Sequence, residues 1–194
     1  MKTKLSEAIE SLKKGDIIVY PTDTQFAFGA DIFNNDSIKK IFKIKNRFYN
    51  NPLPIAVEKY DDIKKYAYEN KYVEKICNHF LPGKLTIILY KKNNISDILT
   101  SGNAKIAIRI PNNEIALELL RIFGPLTITS ANVHGKKPED RIINIYSQFK
   151  ENIGCYLDYK ILKNDPSTIV DLTYKKPLII REGSISLNDI LAVI

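Results

Sequence analysis

Six short stretches of this chain put cations, hydroxyls or amides within or beside an apolar run. YPTDTQFAFGAD, residues 20–31, leaves a strand-like DIIVY through Pro21 into Thr22, Asp23 and Thr24. KIKNRFYNNPL sets Lys45 and Arg47 two residues apart, either as a solvated helix end or as a phosphate clamp. KIAIRIP carries Arg109 inside an apolar strand. Ile108 and Ile110 point to the opposite face and Ala107 shares its own, so the guanidinium must meet an anion, an acid partner or water. Arg181 in PLIIREG repeats that placement. LTITSAN ends in Ser130 and Asn132, which suit an oxyanion nest or an ordinary polar turn. Ser167 follows Pro166 at the head of the apolar run TIV. The shared chemistry is anion recognition: planar arginine forks for carboxylate or phosphate, and short polar groups to orient what they hold.

Other chemistries find no footing. GxxxxGK[ST], GxGxxG, GxSxG, HExxH and CxxC are all missing. His79 sits in a helical stretch and reads as structural or exposed; His134, in the loop near Ser130, reads as a loop residue rather than a ligand contact, so a histidine-based nucleophilic mechanism finds little support. Cys77 and Cys155 fit no metal spacing and read as reduced thiols of a cytosolic protein.

The elements that must position these residues alternate between helical and strand-like periods, which indicates an α/β domain. The 194 residues, 44% hydrophobic and 26% charged, suit one globular domain spanning 1–194. Leu5–Lys14, a segment opening at Asn35 or Asp36, Ile63–Phe80 (as one helix or two), Glu114–Phe123, Glu139–Phe149 and Leu187–Ile194 read as helices. DIIVYP, PLPIAV, LTIILY, KIAIRIP, LTITSAN, STIVDLT and PLIIREG read as strands. Polar clusters follow four of the strands, at PTDT, RIP, SAN and REGS, and ligand sites of open α/β sheets collect at strand ends. Phe26 and Phe28 read as packing behind the PTDT wall. Lys and Arg total 29 against 22 acids, a net +7, which favours polyanionic ligands without choosing one. No run approaches the roughly 18 apolar residues of a membrane span, and the amphipathic, acid-bearing N-terminal segment is not a signal peptide, so the expectation is a cytoplasmic protein.

Taken in order, YPTDT…FG, KIKNR…NPLPI, LPGKLT, IAIRIP, GPLTITSAN…G, STIVDLT and IIREGSIS resemble the successive motifs of the YrdC-type (TsaC) threonylcarbamoyl-AMP synthases, from about residue 6 to 191. The resemblance is to the short single-domain form. It implies a YrdC-like (DHBP-synthase-like) fold, a twisted mixed sheet with helices around a basic cleft. It further implies that L-threonine, bicarbonate or CO2, and ATP combine into threonylcarbamoyl-AMP and pyrophosphate, with Mg2+ accompanying ATP. The product would pass to a downstream threonylcarbamoyl transferase complex acting on tRNA. Carried over position by position, Thr24, Arg109 and Ser167 would bind threonine. Lys45, Arg47, Asn51, Ser130, Asn132 and Arg181 would hold ATP, no residue would serve as acid, base or nucleophile, and no metal ligand is assigned.

The chain departs from that pattern at several positions. Gln25-Phe26-Ala27-Phe28-Gly29 stands where the family usually has an aliphatic residue and then tyrosine-glycine-leucine-glycine. Ala56 lies near a common histidine, and Lys105 replaces a small hydroxyl residue. The alternative is a non-catalytic YrdC-like module with weak RNA binding, which salt-sensitive affinity without threonine-dependent ATP turnover would reveal.

Overall fold

The computed structural model describes residues 2–162 and 165–194. The strands form two mixed sheets. One has the order β7-β2-β1-β8 and the other β10-β9-β4-β5-β3-β6. The first uses β1 (Ile18–Pro21), β2 (Phe26–Gly29), β7 (Thr129–Ser130) and β8 (Cys155–Tyr156). The second uses β3 (Ile55–Ala56), β4 (Leu85–Tyr90), β5 (Lys105–Arg109), β6 (Leu126–Thr127), β9 (Thr168–Asp171) and β10 (Leu178–Arg181).

Alternation decides which face each strand buries. Leu85, Ile87 and Leu89 of β4 and Ile106 and Ile108 of β5 point into the main core, with Ile38, Ile41 and Phe42 of α2 (Asn35–Ile44) and Ile63 of α3 (Tyr60–Tyr66). Thr86, Ile88, Ala107 and Arg109 are thereby left to the other face. A second core under the smaller sheet joins Ile18, Tyr20 and Ala27 to α1 (Lys2–Lys13) and α6 (Glu114–Phe123).

Several boundaries differ from the sequence reading. The cap of α2 is Asn34, one residue earlier than expected, because its carboxamide accepts from the Asp36 and Ser37 amides. Of the one or two helices expected over 63–80, two form, because Ala67 leaves the helix to bridge Lys91; α3 begins at Tyr60, three residues early, and α4 spans Val73–Phe80. The helix expected from Glu139 begins at Ile142, as α7 (Ile142–Phe149). The chain closes with α8 (Leu187–Leu191), which starts in a reciprocal Ser186–Asp189 capping box. Four elements were not expected: β2, whose FAFG was read only as packing behind the PTDT turn, α5 (Asp97–Thr100), a 3-10 turn at Lys150–Asn152, and β8.

LTITSAN is not one strand. Leu126–Thr127 pairs with β3 in the larger sheet, and Thr129–Ser130 pairs with β2 in the smaller one, so the chain changes sheets at Ile128. Thr127 binds the two sheets together. Its hydroxyl donates to the Phe28 carbonyl (3.0 Å) and accepts from the Ala30 amide (3.0 Å), while its own carbonyl accepts from Tyr20 Oη (2.9 Å). Thr127 is fully buried, so Thr127→Val would take the hydroxyl acceptor from the buried Ala30 amide and one donor from the Phe28 carbonyl. The expected cost is about 1–3 kcal/mol, read as a lower urea midpoint at unchanged slope.

Candidate active site

A cavity of about 380 Å³ opens where the free face of the larger sheet meets the edge of the smaller one. That volume is within the range of small-molecule sites, roughly 300–1,000 Å³. The turn between β1 and β2 supplies Thr22, Thr24 and Gln25; β2 supplies Phe26 and Ala27; the chain after β6 supplies Ile128, Thr129 and Ser130. The opposite wall is Thr86 and Ile88 of β4, Ala107 and Arg109 of β5, Ser167 and Ile169, and Ile180 and Arg181 of β10, with Arg47 at the rim.

Arg109 is the most constrained of these side chains. It is 4% exposed, and its guanidinium is divided among Gly83 O (Nε, 3.0 Å), Thr24 Oγ1 (Nη1, 2.8 Å) and Asp23 Oδ1 (Nη2, 2.7 Å). Burial lowers its hold on the proton, and the Asp23 carboxylate opposes that loss. One N–H on each terminal nitrogen remains for a ligand. Asp23 also accepts from the Asn112 amide at 3.1 Å, so this carboxylate fixes the turn as well as neutralising the cation.

Thr22 was absent from the sequence-based set. Its hydroxyl donates to Gln25 O (2.6 Å) and accepts from the Thr24 and Gln25 amides (3.1 and 3.0 Å). With that hydrogen spent, Thr24 Oγ1, 3.0 Å away, is the donor of the pair or turns its hydrogen into the cavity. The Thr-x-Thr spacing of a turn signals this arrangement, and only the fold shows which threonine faces inward.

Arg47 and Arg181 differ from Arg109. Arg47 donates to the Asn51 and Pro52 carbonyls (3.1 and 3.0 Å). Arg181 donates to the Ser167 carbonyl (3.1 and 2.7 Å) and hydroxyl (3.1 Å). Neither has a carboxylate partner among the described residues, so both positive charges remain uncompensated. Partial burial lowers the proton affinity of each, and Arg109 adds like-charge repulsion at Arg181. Gly183 permits the Arg181 turn to lie against residues 166–168: a Cβ there would meet Pro166 O and Thr168 N at 2.5 Å.

Lys45, Asn51 and Asn132 are not among the cavity-lining residues. Lys45 is 1% exposed, and its ammonium bonds the Ser130 carbonyl and the Asn132 carbonyl (2.8 Å) and side-chain oxygen (3.3 Å). Ser130 Oγ donates to the same Asn132 oxygen at 2.6 Å. Lys45 and Asn132 therefore form a knot beneath the Ser130 loop, and Asn51 reaches the site through its carbonyl on Arg47. His134 is exposed, and its amide donates to the Lys45 carbonyl (2.7 Å). His79 is exposed and stacks edge-on against Phe80.

The departures also take definite places. Phe26 and Phe28 are 1% and 0% exposed, as expected of packing side chains, though Phe26 is also among the cavity-lining residues. Ala56 is fully buried in the core beneath α6. Lys105 shares the face of Ala107 and pairs with Asp171 at 2.8 Å. Among the described residues no group of three or more His, Cys, Asp or Glu side chains is arranged to hold a metal ion, and no helix is long and apolar enough to cross a membrane.

The profile of the Sua5/YciO/YrdC family, described as "Telomere recombination", matches residues 10–183. The chain belongs to this family. A Methanocaldococcus jannaschii protein is 38% identical over 187 residues, covering 94% of this chain and 88% of its own length. The threonylcarbamoyl-AMP synthase of Pseudoalteromonas translucida is 31% identical over 175 residues, covering 88% of this chain and 94% of that protein. The crystal structure of Pyrococcus abyssi Sua5 complexed with L-threonine superposes with a TM-score of 0.95 at 30% identity, covering 100% of this chain and 58% of the other. The family fold expected from the motifs, a twisted mixed α/β fold, is therefore the observed one.

Burial pushes the Lys45 amine down to about 7, against about 10.4 for a free lysine. Between those values the unfolded chain binds a proton that the folded chain releases, so this residue makes stability rise with pH. The stability difference between the wild type and Lys45→Met is expected to be flat below pH about 7 and to grow in favour of the wild type up to pH about 10. Urea unfolding across that range checks it; a difference independent of pH would contradict the buried-amine account.

Proposed function

We propose that this chain is a cytoplasmic L-threonylcarbamoyladenylate synthase, acting as a single domain. The observation that carries the reading is that one cavity combines a neutralised, preorganised arginine with two uncompensated ones. Arg109 with Thr24 and Ser167 suits the carboxylate and polar groups of L-threonine, and Arg47 and Arg181 suit the triphosphate of ATP. Ser130 would line the junction between the two ligands, with Asn132 and Lys45 holding its loop and Asn51 orienting Arg47. The relative solved with L-threonine supports the amino-acid half of this assignment.

The reaction then needs no side-chain nucleophile. The free threonine amine adds to CO2 and gives up a proton to solvent, or attacks bicarbonate with water departing, to give a carbamate; a carbamate oxygen then attacks the α-phosphorus of ATP as pyrophosphate departs. This chain's residues contribute position and charge: Arg109 fixes the amino acid, and Arg47 and Arg181 offset the charge that builds on the departing pyrophosphate. Mg2+ would arrive with the triphosphate, since that ion is commonly held by substrate phosphates with only one or two protein carboxylates. The acyl-adenylate product suits a downstream threonylcarbamoyl transferase complex that modifies tRNA.

The test is pyrophosphate release from ATP with and without L-threonine and bicarbonate. The wild type is expected to require both. Arg109→Ala is expected to reduce kcat/KM for threonine by about 10- to 150-fold, in keeping with losing a charged hydrogen-bond partner. Release independent of threonine, or unchanged threonine dependence in Arg109→Ala, would refute the assignment.

A further inference from the structure

Thr86 contacts the cavity beside Arg109 and belongs to none of the ligand sets above. Ile87 lies opposite Ile108 in the antiparallel β4–β5 pair, so Thr86 falls opposite Arg109, one step along, on the cavity face. Its hydroxyl is 2.9 Å from that of Ser167, and both residues are 4% exposed.

The hydrogen count of this pair is incomplete. Two hydroxyls carry two hydrogens, and their mutual contact uses one. Arg181 Nη2 already donates to Ser167 Oγ, which adds a donor and no acceptor. The second hydroxyl hydrogen has no acceptor among the described residues, and a buried donor in that state is unfavourable until a ligand oxygen or water meets it. The adjoining wall is apolar, formed by Ile88, Ala107 and Ile169. A lone donor beside methyl-bearing side chains complements a carbon that bears both a hydroxyl and a methyl group.

We propose that Thr86 is the residue that selects the amino acid. Its hydroxyl, acting with that of Ser167, receives the β-hydroxyl of L-threonine while the γ-methyl packs against Ile88 and Ile169. The inference rests on the reading above that the amino acid lies against Arg109. It assigns to Thr86 the distinction between threonine and valine, which have nearly the same shape and differ by that hydroxyl. Sites that hydrogen-bond a substrate hydroxyl reject analogues lacking it far more strongly than apolar pockets can.

The test is kcat/KM for L-threonine, L-valine and L-allo-threonine in wild type, Thr86→Val and Thr86→Ser. Wild type should disfavour valine and allo-threonine at least about tenfold. Thr86→Val should lose about 10- to 100-fold for threonine through KM, with valine use and the KM for ATP unchanged. Thr86→Ser, which keeps the hydroxyl, should retain the threonine/valine ratio. Thr86→Ala carries the same test if the valine variant does not fold. An unchanged threonine/valine ratio in Thr86→Val or Thr86→Ala, or equal use of allo-threonine by wild type, overturns this inference alone. A wild type without threonine-dependent turnover overturns the parent reading instead.

Discussion

The site depends on one buried ion pair that joins the two sheets. Arg109 leaves β5 of the larger sheet, and Asp23 and Thr24 belong to the turn between two strands of the smaller one. Bringing a guanidinium to 4% exposure is unfavourable unless its donors are met. Asp23, Thr24 and Gly83 meet three of them, and the geometry that satisfies Arg109 is the one that closes the cavity. Removing one partner would leave the other charge buried, so neither half can vary alone. Thr127 repeats the constraint deeper in the fold, where neutral hydrogen bonds hold the same two sheets.

This pairing also separates the cations by task. Arg109 enters the cavity with its charge balanced, so its remaining N–H groups orient more than they attract. Arg47 and Arg181 are satisfied by carbonyls and keep their charge for an anion. Lys45 differs from all three, its buried amine consumed in holding the Ser130 and Asn132 carbonyls. The net +7 of the whole chain says little about this division, because much of it is surface lysine.

Some of this was legible in the sequence and some was not, for physical reasons. The LTIILY and KIAIR strands and the Glu114–Phe123 helix stood out because burial on one face imposes period two or 3.6 on the residues. The same rule placed Arg109 and Ala107 on one face, and both line the cavity. The change of sheet at Ile128 was hidden, because Leu126 to Ser130 alternates as one strand whichever sheet it pairs with. Lys45 was hidden too: its position after α2 looks like a solvated helix end until the Ser130–Asn132 loop folds over it. Thr86 reads as one more strand residue, and its meaning comes only from the hydroxyl of Ser167, 81 residues away.

The central claim is that this cavity seats an amino acid on Arg109 and a triphosphate on Arg47 and Arg181 at the same time. A crystal structure of the chain with L-threonine and a non-hydrolysable ATP analogue tests it most directly. The account predicts a threonine carboxylate on the free N–H groups of Arg109, phosphate oxygens on Arg47 and Arg181, and an intact Arg109–Asp23 pair. Threonine bound away from Arg109, or phosphates that leave both other arginines on their carbonyls alone, would contradict it.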